Sequence, residues 1–135
     1  MIDRTKTVEP EEQEESFAYA LMKFLRELFR MFRMSCKFEE FLEKTGEYFD
    51  ERIRHKEAHD KVKYAGGKIT FTLSGDQVLM SSKLYFLNEA EKWIVQESSN
   101  SVDKSRFNDW DKDEDLQRLS RGETVELDIN HPDEN

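Results

Sequence analysis

A chain of 135 residues with a formal net charge of -9 fits one domain and leaves no room for a second large core. Its leucine, isoleucine, valine and phenylalanine number 32, about 24% of the whole and above the ~20% below which a charged chain stays disordered, so global disorder is excluded. Charge is unevenly spread: residues 1–15 carry two basic and six acidic side chains, residues 16–68 twelve and nine, and residues 69–135 seven and fifteen.

Residues 1–9 read as a flexible arm, residues 10–130 as a single α+β domain and residues 131–135 as a tail. Pro10 followed by Glu11, Glu12, Glu14 and Glu15 reads as a helix start, because proline suits the first turn and acids complement the N-terminal dipole. From Phe17 to Phe32 apolar residues recur at three and four, with Lys23, Arg26, Arg30 and Arg33 on the opposite arc, which predicts an amphipathic helix. Those charges also interrupt the most apolar stretch of the chain, so no transmembrane segment is expected. After a break near Ser35 to Lys37, the stripe Phe38, Phe41, Leu42, Thr45, Tyr48, Phe49 and Ile53 predicts a second helix. Its outer face is charged at Glu39, Glu40, Glu43, Lys44, Glu47, Asp50, Glu51 and Arg54, with Glu40–Lys44 and Asp50–Arg54 spaced for pairs of ~0.2–0.5 kcal/mol each. Gly46 weakens this helix without ending it.

The period then changes to two. Ile69, Phe71 and Leu73 alternate with polar residues, and Gly66-Gly67 reads as the turn of a hairpin formed with Lys61 to Ala65. Gly75-Asp76 reads as a second turn, and Gln77 to Leu87 and Lys92 to Glu97 continue an antiparallel meander, with a short helix over Asn88 to Val95 as the alternative for that segment. Ser98 to Ser105 reads as a loop. Asp109 to Arg121 reads as a third helix opening on acids and stopping at Gly122, and Val125, Leu127 and Ile129 mark a last strand. The expected fold is therefore α+β: two N-terminal amphipathic helices packed on an antiparallel meander, with a short third helix before the last strand.

Several constellations resemble sites and lack a required part. His55 and His59 are four apart with Glu51 one turn earlier, and His131 is the one further histidine. The residue after His55 is Lys56, so the glutamate of a zinc peptidase motif is missing. Asp111, Asp113 and Asp115 mimic the start of a calcium loop, but Leu116 stands where its glycine belongs and Gly122 where its bidentate glutamate belongs. His131-Pro132-Asp133 spells a tripeptide of chaperone J-domains but follows a strand instead of joining helices. Cys36, the lone cysteine, excludes an internal disulfide and fits a reducing, cytoplasmic setting; Arg33 and Lys37 beside it are placed to lower its pKa. The segment after Met1 has no apolar signal core, and no glycine-rich phosphate loop is present. No metal and no cofactor is expected.

Two functional readings remain. The first is a small acidic protein-binding module without catalytic activity: an adaptor, inhibitor, immunity protein or chaperone. Its candidate docking residues are Asp109, Asp111, Asp113, Asp115, Glu123 and Glu126 in the acidic last half, which favours a basic protein partner and disfavours direct nucleic-acid binding. The second is a small-ligand domain or enzyme with Tyr85, Trp93 and Trp110 lining a pocket between helices and sheet. The stripe Lys23, Arg26, Arg30 and Arg33 matches the pattern of a partner-binding or membrane-surface helix, but also the more ordinary pattern of a solvated face over an apolar arc that is core.

Overall fold

The computed structural model describes residues 17–134; the helix start expected at Pro10 and the arm before it lie outside the described residues. Helices α1 (Phe17–Met31) and α2 (Phe38–Asp60) are followed by strands β1 (Val62–Ser74), β2 (Gln77–Asn88) and β3 (Trp93–Asp103), then α3 (Glu114–Ser120) and β4 (Val125–Ile129). The sheet is antiparallel throughout, in the order β3-β2-β1-β4. The α+β architecture expected from the two hydrophobic periods is present, with α1 on β3, α2 on β1, and α3 on β1 and β4.

Each helix end has a local cause. The apolar arc of α1 is buried at Phe17, Leu21, Leu25, Leu28 and Phe29, and the helix stops where Arg33 and Met34 take positive φ values of 55° and 88°. Met34 N–H then donates back to Phe29 O at 2.8 Å, satisfying a terminal carbonyl. The α1–α2 link is tied down at Cys36, whose N–H donates to Arg106 O and whose carbonyl accepts from Asn108 N–H. At the start of α2, Glu40 reaches back to Lys37 N–H and Asp109 accepts from Phe38 N–H. At its end Lys61, at φ 53°, turns the chain directly into β1. The pairs expected along α2 are replaced by others: Lys44 stands 3.8 Å from Glu47, and Arg54 reaches Asp133 at 3.2 Å.

Phe41 sits at the centre of the core, within 5.0–6.3 Å of the rings of Phe29, Phe38, Phe71 and Phe107. It thereby joins α1, α2, β1 and the loop after β3 in one aromatic cluster, where offset and edge contacts add to the area buried.

Three expectations are corrected. Gly66-Gly67 is not a hairpin turn but a β-bulge inside one 13-residue strand: Tyr64 faces Phe86 and Gly66 faces Tyr85, leaving Ala65 as the extra residue. The bulge keeps Val62 and Tyr64 on the same buried face as Ile69 and Phe71 despite the odd spacing. Gly66 supplies φ 128°, and Gly67 gives the Tyr64 hydroxyl passage to donate to Ile129 O on β4. The expected loop after Ser98 is strand as far as Asp103. Two of its three inward positions are polar, with Ser98 bonded to Ser82 and Asn100 Nδ2 donating to Ala18 O at 3.3 Å, so Val102 alone makes no apolar alternation to announce it. The third helix begins at Glu114, because Asp113 takes its N-cap position and accepts from Leu116 N–H at 2.9 Å. Residues 88–92 form a turn closed by the Asn88 side chain, which accepts from Ala90 and Lys92 N–H, so the helical alternative there is not observed.

Candidate functional site

The six acidic residues singled out from the sequence are dispersed, and most are committed to the fold. Asp109 caps α2 at 3.1 Å and Asp113 caps α3. Asp115 lies 3.7 Å from Arg118; Glu123 is shared by Arg118 and Arg121 at 3.3 and 2.9 Å; Glu126 pairs with Lys68 at 2.9 Å across β4 and β1. The Arg121 hydrogen bond, with that of Arg118, holds the Glu123 carboxyl below the usual range. Asp111 is exposed.

A denser set of carboxylates converges in a groove between α2 and β4, about 440 Å³ in volume. Glu39, Glu43, Glu47 and Asp50 line one wall, Asp128 lies on the other, and none of the described residues lining it is cationic. Four consecutive residues line it on that side, Leu127 to Ile129 of β4 and Asn130 just after the strand. Successive strand residues point to opposite faces, so the groove runs along the backbone of an edge strand.

Three features of this groove cost stability. Glu39, Glu43 and Glu47 are spaced four apart, an arrangement that costs a few tenths of a kcal/mol per like-charged pair. Gly46 sits inside α2 although a Cβ there would meet nothing within 4 Å, and a helix-interior glycine costs ~0.5–1 kcal/mol relative to alanine. Burial holds the Asp50 carboxyl above the usual carboxylate range, with Glu47 adding to the shift and Arg54 and His131 opposing it. A group that binds its proton more tightly when folded contributes stability at low pH that is lost as pH rises through its raised pKa. Asp50→Asn is therefore expected to melt above the parent protein at pH 7 and alongside it near pH 3, as a pair of thermal melts will show.

The remaining candidates do not assemble into a reactive centre. The His55 and His59 rings lie with centroids 4.1 Å apart, tilted by 30°, and His131 pairs instead with Glu57 at 2.9 Å. His131 Nδ1 accepts from Asp133 N–H, so both ring nitrogens are used, and Glu57 also accepts from Tyr64 N–H. This network folds Pro132–Glu134 back against α2. Among the described residues no group of three or more His, Cys, Asp or Glu side chains is placed to hold a metal ion. No described helix is long and apolar enough to cross a membrane.

Cys36 is 3% exposed, and its thiol is pushed up to about 12, first by burial and then by Glu40 and Asp109, the reverse of the effect expected from Arg33 and Lys37. Iodoacetamide at pH 8 is expected to alkylate it at least ~100-fold more slowly in the native protein than in urea, since the thiolate is the reacting form. Tyr85 and Trp93 meet edge to face across β2 and β3, whereas Trp110 packs on Phe107 beyond the far end of β3, so the three do not line one pocket.

Comparison with protein-family models, curated proteins and solved structures returns no match. The groove acids were visible in the sequence as the charged face of α2. Their placement beside β4 was not, because it depends on the pairing of β4 with β1, from Gly67 opposite Ile129 to Phe71 opposite Val125.

Proposed function

We propose that the protein is a binding module that acts through its α2–β4 groove, taking a basic segment of a partner protein in the manner of an adaptor, inhibitor, immunity protein or chaperone. The observation that carries this reading is the gathering of five carboxylates, with no cation among the described residues that line the groove, beside one open strand edge. An extended lysine- or arginine-bearing segment would pair its backbone with β4 and its charges with α2. The helix glycine, the like-charge spacing and the raised Asp50 all weaken the free protein at this one place. Such local costs are tolerated where a surface is kept for function.

The test is fluorescence anisotropy of the full chain with a labelled peptide alternating lysine and valine. Affinity is expected to fall at least tenfold between 0.1 M and 1 M salt, as the Debye length shrinks from ~10 Å to ~3 Å. Glu43→Gln combined with Glu47→Gln is expected to weaken binding by about tenfold. Gly46→Leu should block the groove while raising the melting temperature, because leucine is the better helix former. Equal affinity at both salt concentrations, or full binding by the Gly46→Leu protein, would sink the proposal.

A further inference from the structure

A second groove of opposite charge lies at the other edge of the same sheet, between α1 and β3, with a volume of about 570 Å³. Its β3 wall is the unbroken run Ser99 to Asp103, so both faces of the strand contribute and the groove follows the outer backbone edge of β3. α1 packs on this strand, but two common protections of an edge are absent from it. Neither proline nor lysine occurs in Trp93–Asp103, and the inward positions Ile94, Gln96, Ser98, Asn100 and Val102 carry no charge. Serine and asparagine at 98–101 also leave the backbone approachable.

Arg26, Arg30 and Arg106 line this groove in a molecule whose net charge is -9. Arg106 is pre-positioned, its guanidinium 5.4 Å from the Phe29 ring centre and donating to Met34 O at 3.3 Å. Arg30 shares Glu27 at 2.7 Å in an exposed contact. Among the described residues that line it the one acid, Asp103, already accepts from Ser105 N–H and Oγ and from Gln77 Nε2, bonds that hold its carboxyl below the usual range. Met22 and Met34 add apolar surface at 38% and 69% exposure. Asn100 Oδ1 is buried without a hydrogen-bond partner among the described residues, leaving an acceptor for a donor that enters.

We propose that the α1–β3 groove is a second docking site, which binds an extended acidic segment of a partner protein by adding it as a fifth strand along β3. Strand addition takes its affinity from main-chain hydrogen bonds and its selectivity from alternate side chains. Here those side chains meet arginines and methionines of α1 and the loops beside it. An unpaired strand edge selects a polypeptide over other polyanions, because only a peptide backbone matches its alternating donors and acceptors. A second copy of the chain is the poorer occupant, since two bodies of net charge -9 repel. The site is independent of the α2–β4 groove, so either can fail without the other.

The test uses the full chain and an acetylated, amidated peptide alternating valine with glutamate. Its amide-NMR shifts are expected to concentrate at Ser99 to Asp103, and Arg26→Ser combined with Arg106→Ser is expected to weaken it by about tenfold or more. The same peptide methylated on alternate backbone nitrogens, which keeps every charge and removes strand donors, is expected not to bind. Retained binding of the methylated peptide, shifts away from β3, or equal binding of a lysine–valine peptide at β3 would overturn the proposal. So would concentration-dependent self-association in sedimentation that protects the amides of residues 99–103.

Discussion

Gly67→Ala is expected to destabilise the protein by about 3 kcal/mol or more, the upper range for overpacking a closed site. A Cβ on Gly67 would collide with Lys83 O of the neighbouring strand, and would stand 2.8 Å from the Tyr64 hydroxyl and 2.9 Å from Leu84 Cδ2. The first obstacle is sheet backbone and cannot turn aside as a side chain would. Relief requires moving β1 from β2 and also displacing the Tyr64 ring, which is 8% exposed and bonded through its hydroxyl to Ile129 O. Either movement loosens β4 and with it the acidic groove. Gly66→Ala separates backbone strain from crowding, because a Cβ there meets nothing within 4 Å although φ is 128°. It is expected to cost only ~1–3 kcal/mol. Urea midpoints of the two variants give the comparison; a Gly67→Ala protein within ~0.5 kcal/mol of the parent would refute the close-packed bulge.

Phe41→Ala is expected to cost about 3–5 kcal/mol, as for a large aromatic removed from a core that cannot collapse. Phe41 is 0% exposed, and its four aromatic neighbours belong to α1, α2, β1 and the segment after β3, so no single element can shift to fill the space. Against a total stability that is commonly ~5–15 kcal/mol, such a loss brings the transition close to ambient conditions. Phe24→Ala provides the contrast. Its ring stacks on Tyr48 at 4.3 Å but at the half-buried rim between α1 and α2, so its loss should be clearly smaller. Equal midpoints for the two variants would contradict the central place given to Phe41.

The helices and most strands were legible because their residues repeat a period that burial on one face imposes. The three-four recurrence from Phe17 and from Phe38 marked α1 and α2, and the alternation at Ile69–Leu73 and Val125–Ile129 marked β1 and β4. The second half of β3 escaped because its inward Ser98 and Asn100 are polar and are held by hydrogen bonds to Ser82 and to Ala18 O, so hydropathy carries little signal there. The two glycines at 66 and 67 escaped for another reason. A glycine pair states that the backbone needs freedom or close approach, and does not say whether a turn or a bulge uses it.

By itself, then, the amino-acid order determined the α+β class, the placing of two helices before the sheet and a third before the last strand, and a charge distribution with a basic α1, an acid-bearing face on α2 and an acidic second half. Only the tertiary structure decided which charges share a surface. Asp109 and Asp113 look like a free acidic cluster until the fold sets them as caps for α2 and α3. Glu39, Glu43, Glu47 and Asp50 look like an ordinary solvated face until β4 brings Asp128 and an open backbone edge beside them. The physical reason is that hydrophobic periodicity is local, written within a few residues of each position. The meeting of α2 with β4, and of α1 with β3, follows instead from strand order and register, which depend on how the elements pack together.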